Sequence, residues 1–351
     1  MLRSYKFVQT NNSKLQEFVL SFFERIENEK GEFDDSFFDA EFRDIVNHHP
    51  EILKERFIKI YNEVRKWSQI KKVVFCRELK ESNDIEGICR GNKKPLSYEE
   101  LPDSIKEVLK DLFIDLYEKI LKKSPHFCNK CGTLQEHFEA FKSQNSNTIC
   151  PACGLNPVKT QFDDARNQYD HYLPKSIYPL SSINFKNLIP ICPECNSLAV
   201  KGEIDVLRET NGILFYPYDQ NHSGINIDIS VIKDSQKIAD IKWAFNFTAA
   251  NGFANEIQSW KYIFKIESRY EGYIKGRIES WFSIYWQVMK IEEFQLLSLD
   301  IKMKIYDEVL KADKDNEVDY IRQPALKAFL KDSVLLRAEL EAKLFSLPVA
   351  N

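Results

Sequence analysis

Apolar residues recur at every third or fourth position through the first third of the chain, which is the spacing of one face of an α-helix. The pattern is clearest at Leu15, Phe18, Val19, Phe22 and Phe23. Pro50 suits the first turn of one helix, and either Ser97 followed by Glu100 or Pro102 with Asp103 suits the start of another that runs to about residue 122. We predict an α-helical N-terminal module over residues 1–123.

The pattern changes in the second half of the chain. Residues 225–232 and 241–247 alternate apolar and polar side chains, which predicts a short β pair with a polar turn between its strands. Helical spacing returns from Asn255 and continues to the end of the chain. Residues 206–351 are therefore predicted to form a short β pair followed by an α-helical C-terminal module.

Residues 124–205, between these modules, lack long periodic segments and are rich in cysteine, asparagine, proline and histidine. That composition is typical of a small module held together by a metal ion. The chain of 351 residues exceeds the ~250–300 residues at which single cores stop growing, so several packed modules are expected. With 11 glycines and 13 prolines it is poor in turn residues, which favours a mostly α fold class.

The net charge and the absence of long apolar runs limit which partners and which cellular compartment are expected. A net charge of −4 means that a nucleic acid would have to bind a local basic surface. The first residues lack the pattern of a secretion signal, and no run of about 18 apolar residues occurs. We expect a soluble, cytoplasmic protein with no membrane partner.

Six of the eight cysteines fall into C-x2-C pairs, which in a reducing compartment indicates metal ligands rather than disulfides. Cys150 with Cys153 and Cys192 with Cys195 supply four thiolates. A closed tetrahedral zinc site needs four such ligands and leaves no open position. We predict a structural zinc that ties these two segments together.

The third pair, Cys128 and Cys131, leaves a second assignment open. Its spacing to the pair at positions 150 and 153 also fits a four-cysteine site, which would exclude the pair at 192 and 195. We favour the first assignment because it brackets the candidate catalytic residues. Cys128 and Cys131 would then bind a second zinc with His126 or His137, or form a local turn without metal.

Asp170, His171 and Asn196 are the residues in this interval that suit metal-assisted hydrolysis of a phosphodiester. That reaction needs a cation held by oxygen or nitrogen ligands with room for the phosphate, and a base that activates water. Adjacent residues of a strand point to opposite faces, so the doublet can serve one site only at a strand end or in a loop. The cysteine turn at 192–195 is expected to open a helix whose first turn carries Asn196.

The order and spacing of these residues resemble the HNH endonucleases of the ββα-metal fold. The resemblance rests on Asp170-His171 with Pro174, Asn187-Leu188 with Pro190, and Cys192-x2-Cys195-Asn196 with Lys201 downstream. The last motif position is asparagine rather than histidine, a substitution that also occurs in the family. The resemblance covers roughly residues 148–203 and says nothing of the flanks.

The resemblance implies a role for each motif residue. His171 looks like the general base, and Asp170 and Asn196 look like ligands of a catalytic Mg²⁺ or Mn²⁺. Asn187 would hold the hairpin loop and orient the base, while the four cysteines hold the structural zinc. The implied activity is hydrolysis of DNA, with double-stranded DNA as the first expectation.

Candidate contacts to nucleic acid are weaker signals. Lys175 and Lys201 lie near the motif, although surface lysines need no such explanation. Lys261, Lys265 and Arg269 repeat every four residues and are expected along one helix face, as a phosphate-binding stripe or an ordinary solvent face.

Two other functions and several partners stay open from the sequence. A zinc ribbon that binds nucleic acid without catalysis, or an HNH nuclease directed at RNA, would use the same residue types. By analogy of architecture, helical flanks around such a core resemble nucleases of bacterial anti-phage (antiviral) defence operons, some of which act beside an ATPase partner, or restriction-type enzymes. The flanks would then serve a partner, a homo-oligomer or DNA.

Overall fold

The computed structural model describes residues 2–146, 148–160, 162–163, 166–221, 224–249, 252–289, 294, 296–311 and 319–346. The chain is mostly helical, with two small antiparallel sheets. The helices of the first part are α1 (Lys14–Ile26), α2 (Ala40–His48), α3 (Glu55–Val64), α4 (Gln69–Glu81), α5 (Ile85–Cys89), α6 (Lys106–Asp115), α7 (Pro125–Cys131) and α8 (Leu134–Gln144).

The predicted N-terminal helices form, although two boundaries differ from the sequence pattern. Ser97 and Glu100 do form a capping box, but on a single turn, and the chain is extended at Leu101 before α6 begins. The end of α6 widens into a π-helical segment, Leu116–Leu121, in which the hydrogen bonds span one more residue. This segment brings Tyr117 to the candidate site.

The first hydrophobic core is rich in phenylalanine and leucine. Phe22 packs against Phe38 and Phe57 with ring centroids 5.1 and 4.6 Å apart. The same cluster takes in the central part of the chain through its side chains at Tyr169, Leu180, Ile183, Phe185 and Leu188. The N-terminal module and the candidate site therefore share one core.

The first sheet is a hairpin of β1 (Tyr169–His171) and β2 (Leu188–Pro190). Asp170 lies opposite Ile189, and His171 lies opposite Leu188. The hydroxyls of Tyr5 and Tyr218 donate to the carbonyls of Pro190 and Leu188 at 2.7 and 2.6 Å. These bonds give two backbone carbonyls of β2 a hydrogen-bond partner. They also hold the hairpin from the N-terminal side, through Tyr5, and from the C-terminal side, through Tyr218.

The second sheet confirms the predicted β pair. Its strands are β3 (Ile225–Lys233) and β4 (Lys242–Ala249), antiparallel with a register shift between Val231 and Lys233. The later helices are α9 (Ala254–Ile263), α10 (Ile266–Lys275), α11 (Ile278–Met289), α12 (Leu299–Lys311), α13 (Asp319–Asp332) and α14 (Leu335–Ser346). None of the described helices has the length and apolar character needed to cross a membrane.

A second core joins these helices to the cysteine segments. It contains Trp260, Tyr270, Phe282 and Phe329 together with all four cysteines at 150, 153, 192 and 195. Residues 124–205, predicted as a module of their own, therefore contribute side chains to both cores. The candidate site lies where the two cores meet.

His137 on α8 is a buried polar link between the N-terminal module and the hairpin. The ring pairs through Nδ1 with the Tyr169 hydroxyl and through Nε2 with the Val8 carbonyl at 3.3 Å. Burial lowers the pKa of His137 to about 4. The folded chain therefore keeps this ring neutral at pH values where the unfolded chain protonates it.

We predict that His137 makes the fold sensitive to acid. Below the ordinary histidine pKa of ~6.5 the unfolded state binds a proton that the folded state does not, so stability falls as pH drops toward 4. Between pH 7 and pH 5 the wild-type chain should lose about 2 kcal/mol more than His137→Gln. Urea unfolding at both pH values measures this, and equal losses in the two proteins would contradict it.

Candidate active site

Four buried cysteine sulfurs form a compact cluster. The sulfurs of Cys150, Cys153, Cys192 and Cys195 all lie within 4.8 Å of one another. Cys150 is 4.0 Å from Cys195, and Cys153 is 3.9 Å from Cys192. A tetrahedron with zinc–sulfur bonds of ~2.3 Å has edges of about 3.8 Å, so the arrangement fits one metal ion such as zinc.

The protonation of these thiols also fits a cation. Burial raises the pKa of Cys150, and the neighbouring Cys150 thiol raises that of Cys195. Hydrogen bonds from the other three thiols lower the pKa of Cys153, and those from Cys150 and Cys195 lower that of Cys192. Two of the thiols therefore hold their protons more strongly than an ordinary cysteine, and the other two hold theirs more weakly. A divalent cation would replace those protons and stabilise all four sulfurs as thiolates.

Backbone and side-chain donors surround the sulfurs. The amides of Cys192, Leu155 and Cys195 donate to sulfur at 3.3 to 3.4 Å. Arg269 Nη1 lies 3.3 Å from the sulfur of Cys195, and Arg269 Nη2 pairs with Glu194 at 2.9 Å. Burial opposes the charge of Arg269, but the sulfurs of Cys195 and Cys153 outweigh it and raise its pKa.

The C-terminal helices clamp the first cysteine turn. Trp260 donates to the Ala152 carbonyl at 2.6 Å, and the hydroxyls of Tyr270 and Tyr320 both lie 2.9 Å from the Cys153 carbonyl. Gly154 has a φ of +67°, and a Cβ there would lie 1.8 Å from the Tyr320 hydroxyl. Only glycine allows this close approach.

Cys128 and Cys131 lie apart from the cluster, on α7. Cys131 contacts Glu41, with sulfur and oxygen 3.7 Å apart. His126 pairs with Asp44, and His137 is committed to Tyr169 and Val8. Within the described ranges, the four-cysteine cluster is the only group of three or more histidine, cysteine, aspartate or glutamate residues that could hold a metal. The structure therefore favours a site made by the pairs at 150/153 and 192/195, and the described residues offer no ligand set for a second zinc.

The doublet lies at the end of β1, as one shared site requires. Asp170 is buried, and its Oδ1 accepts from Lys201 Nζ at 2.9 Å, while Lys201 Nζ also donates to the His171 carbonyl at 2.8 Å. Burial raises the pKa of Asp170, and the Lys201 ammonium opposes that rise. Asp170 Oδ2 is buried without a hydrogen-bond partner among the described residues.

The ring of His171 is held from two sides. Its Nε2 lies 2.9 Å from the Ser182 carbonyl, and it meets the Tyr117 ring edge-on at 4.4 Å between centroids. A carbonyl only accepts, so the proton of the neutral ring sits on Nε2 and Nδ1 keeps a free lone pair. Burial and, after it, the charge of Lys175 lower the pKa of His171 to about 3.

Asn187 closes the loop that carries the doublet. Its Oδ1 accepts from the Leu173 amide at 2.7 Å, and its Nδ2 donates to the carbonyls of Leu173 and Ser181 at 3.0 and 3.2 Å. The side chain is fully buried. Asn187 thereby fixes the segment between the hairpin strands, next to the carbonyl of Ser182 that accepts from His171.

A cleft of about 650 Å³ opens over the doublet. Asp170, His171 and Asn196 line it together with Lys175. The helix expected after the second cysteine pair is absent, since residues 193–203 form consecutive turns. The backbone of Asn196 is nevertheless fixed, because its main-chain N–H donates to the Cys192 carbonyl at 3.1 Å. The two-stranded hairpin is thus present, whereas the residues expected to form a helix after it lie in turns.

Most of the predicted basic contacts to nucleic acid have other partners. Lys201 is completely buried on Asp170, and Arg269 supports the sulfur cluster, so neither is available on the surface. Lys265 has a left-handed backbone, with φ of +50°, and separates α9 from α10. Lys261, which pairs with Glu267, therefore shares no continuous helix face with Arg269. The predicted stripe was wrong because the helix breaks at Lys265.

Sequence reasoning missed Tyr117 and Tyr320, which support the site from a distance, and it gave Arg269 a role in nucleic-acid binding rather than beside the sulfurs. Tyr117, Arg269 and Tyr320 lie far from the motif in the chain, and no local spacing connects them with it.

Comparison of the chain with protein-family models, curated proteins and solved structures found no match.

We predict that the purified chain holds about one metal ion, bound by the four clustered cysteines. Cys153→Ser and Cys192→Ser should each lose most of the metal, because three thiolates and a water molecule bind zinc more weakly than four thiolates do. Cys128→Ser should keep it, since Cys128 lies outside the cluster. Elemental analysis by mass spectrometry measures the content, and loss of metal in Cys128→Ser would instead support the pairing with Cys128 and Cys131.

We also predict that Lys201→Met is strongly destabilising. Removing one partner of a buried ion pair leaves an uncompensated charge and costs about 3–5 kcal/mol. Adding Asp170→Asn should recover much of that loss, whereas Lys186→Met, at an exposed lysine, should change stability by about 0.5 kcal/mol or less. Urea unfolding compares the variants, and a Lys201→Met protein as stable as Lys186→Met would refute the role of this pair.

Proposed function

We propose that this chain is a metal-dependent endonuclease that hydrolyses phosphodiester bonds of DNA, with an HNH-like active site at the cleft. The observation that carries the proposal is the pairing of a neutral histidine, whose Nδ1 is free, with a buried carboxylate oxygen that lacks a partner. His171 Nε2 is committed to Ser182, and Asp170 Oδ2 has no donor among the described residues. Both residues line the same cleft as Asn196.

The donor set fits a hard divalent cation. Carboxylate and amide oxygens are the ligands that Mg²⁺ and Mn²⁺ prefer, and an unsatisfied buried carboxylate oxygen is stabilised by such an ion. Asp170 through Oδ2 and Asn196 through its amide oxygen would hold it. When bound, the cation would stabilise negative charge on the scissile phosphate.

His171 acts as the general base in this proposal. Nδ1 takes a proton from a water molecule, whose oxygen attacks phosphorus in line with the 3′ oxygen. The bond from phosphorus to the 3′ oxygen breaks, and that oxygen takes a proton from solvent, which leaves a 5′-phosphate and a 3′-hydroxyl. A pKa of about 3 keeps the ring in its acceptor form at neutral pH. A phosphate bound beside Lys175 would offset that lysine's charge and make the ring more basic.

The four-cysteine ion is assigned as structural zinc. Four sulfur ligands leave no open position for substrate, so this ion serves the fold rather than the reaction. The second cysteine turn carries Asn196 directly after Cys195, and the Lys201 amide donates to the Cys195 carbonyl at 3.3 Å. The zinc would thereby fix Asn196, which lines the cleft, and Lys201, which pairs with Asp170 of the cleft.

Two alternatives remain distinguishable by experiment. A zinc ribbon that only binds nucleic acid would need no free histidine nitrogen beside an unpartnered carboxylate, so the cleft favours catalysis. No residue of the cleft discriminates DNA from RNA, and parallel assays on plasmid and on RNA decide the substrate. A role in anti-phage defence beside an ATPase partner rests on analogy of architecture alone.

The test is cleavage of supercoiled plasmid by the zinc-loaded protein. We predict nicking or linearisation with added Mg²⁺ or Mn²⁺, and none when the added cation is omitted. His171→Ala should lower the rate by at least about 100-fold because it removes the base, while its zinc content and circular dichroism stay those of the wild type.

His48→Ala is the matched control, since His48 is exposed and lies outside the cleft. It should cleave at the wild-type rate. Undiminished cleavage by His171→Ala, or the absence of cleavage of DNA and RNA by the wild type with either cation, would refute the proposal.

A further inference from the structure

The cleft over His171 has a wall that belongs to the N-terminal module. The π-helical segment Leu116–Leu121 places Tyr117 against the ring of His171, and the next residue, Glu118, also faces the cleft. Lys122 follows directly after the segment and lines the same space. The wall is therefore positioned by a part of the chain outside the motif interval.

Glu118 is the centre of a charge cluster in this wall. Its carboxylate accepts from Lys122 Nζ at 2.6 Å and from Lys175 Nζ on the opposite segment. Both ammonium groups also lie over the ring of Tyr117, at 5.4 and 4.9 Å from its centroid. Burial alone would raise the pKa of Glu118, but the hydrogen bonds from the two lysines lower it to about 2.

Arg166 extends the positive surface along the cleft. Its guanidinium lies 5.1 Å from the ring centroid of Tyr169, and Nη1 donates to the Asn167 carbonyl at 2.9 Å. No carboxylate pairs with it in the described part of the chain. Arg166 and Asn196 line both this cleft and an adjoining depression of about 380 Å³. The two spaces therefore adjoin each other and form one continuous track past Arg166.

The carboxylates around this track are few. Asp170 is balanced by Lys201, and Glu203 lies exposed at the rim. Glu118 is thus the one described carboxylate of the lining that holds two cations at once. The side chains of Lys122, Lys175 and Glu118 are each about one-third exposed, so the lysines can turn toward a new anion without leaving a fully buried charge behind.

We propose that Lys122, Lys175 and Arg166 bind the phosphates of a DNA strand on either side of the scissile bond, and that Glu118 is the counter-ion which the strand displaces. The inference rests on the proposed nuclease site and assigns its substrate-binding wall to the N-terminal module. Successive phosphates of a DNA strand are negatively charged, as the Glu118 carboxylate is, but they are spaced along the strand. They can therefore bind Lys122, Lys175 and Arg166 at the same time. Glu118 weakens binding by competing for those lysines and by repelling the strand.

The experiment measures binding of a fluorescent DNA duplex to His171→Ala protein, in which cleavage is blocked, at several salt concentrations with Ca²⁺ present. Lys122→Gln, Lys175→Gln and Arg166→Gln should each weaken binding by about 3- to 10-fold, whatever the DNA sequence, and lower the salt slope by about 0.9. Glu118→Gln should tighten binding by about threefold or more, because it removes a negative charge from the path of the strand.

Lys119→Gln is the matched control, because Lys119 lies in the same segment, pairs with Asp115 at 2.8 Å and does not line the cleft. It should change affinity by less than about twofold. Circular dichroism confirms that each variant is folded. The inference is overturned if the cleft variants behave like Lys119→Gln, if Glu118→Gln weakens binding, or if the parent protein binds no duplex at low salt.

The outcomes separate this inference from the proposed function. If the wild type cleaves plasmid but the cleft variants bind like the control, the wall assignment fails and the nuclease stands. If the cleft variants behave as expected but the wild type cleaves nothing, the wall stands and the nuclease fails.

Discussion

Four sulfur atoms within 4.8 Å of one another join two chain segments that are about 40 residues apart, and the rest of the site depends on that junction. Thiolates repel at this distance unless protons or a cation lie between them. A cation bound there would draw Cys150 and Cys153 toward Cys192 and Cys195 and hold the chain between them as a closed loop. The hairpin of Asp170 and His171 lies in that loop.

The described residues of this loop form no separate core. One side of the hairpin packs into the phenylalanine-rich cluster of the N-terminal helices, and the cysteine turns pack among the aromatic residues of the C-terminal helices. Lys201 spans the junction, since its amide is bonded to Cys195 and its ammonium to Asp170. Lys201 thus connects the sulfur cluster to Asp170 in the cleft, through its backbone at one end and its side chain at the other.

Local spacing was enough to predict the helical character, the β pair and the cluster of cysteines. These features depend on residues that lie close together in the chain or on short motifs with fixed ligand chemistry. For Asp170 and His171 the sequence left a strand end and a loop open, and in the structure the doublet lies at the end of β1. The expected helix at Asn196 did not form, and the turns there are those that carry the second cysteine pair and Lys201.

Residues whose partners are remote in the chain could not be predicted. Lys261, Lys265 and Arg269 repeat every four residues whether the helix is continuous or breaks midway. The local sequence therefore could not predict that Arg269 contacts the sulfur of Cys195. The same holds for Lys201, which looks like an ordinary surface lysine until its burial is known. Tyr117 reaches His171 only because the end of α6 widens, and no residue pattern marks that change.

The clamp on the first cysteine turn has a consequence for the order in which the molecule is made. Translation produces the N-terminal helices and the wall at Tyr117 first, then the hairpin, and only afterwards Arg269 and Tyr320. The sulfur cluster consequently lacks its neighbouring guanidinium until residue 269 has been synthesised, and the Cys153 carbonyl lacks its last donor until residue 320. A fragment limited to residues 124–205 contains every motif residue and none of these supports, so the cleft described here belongs to the longer chain.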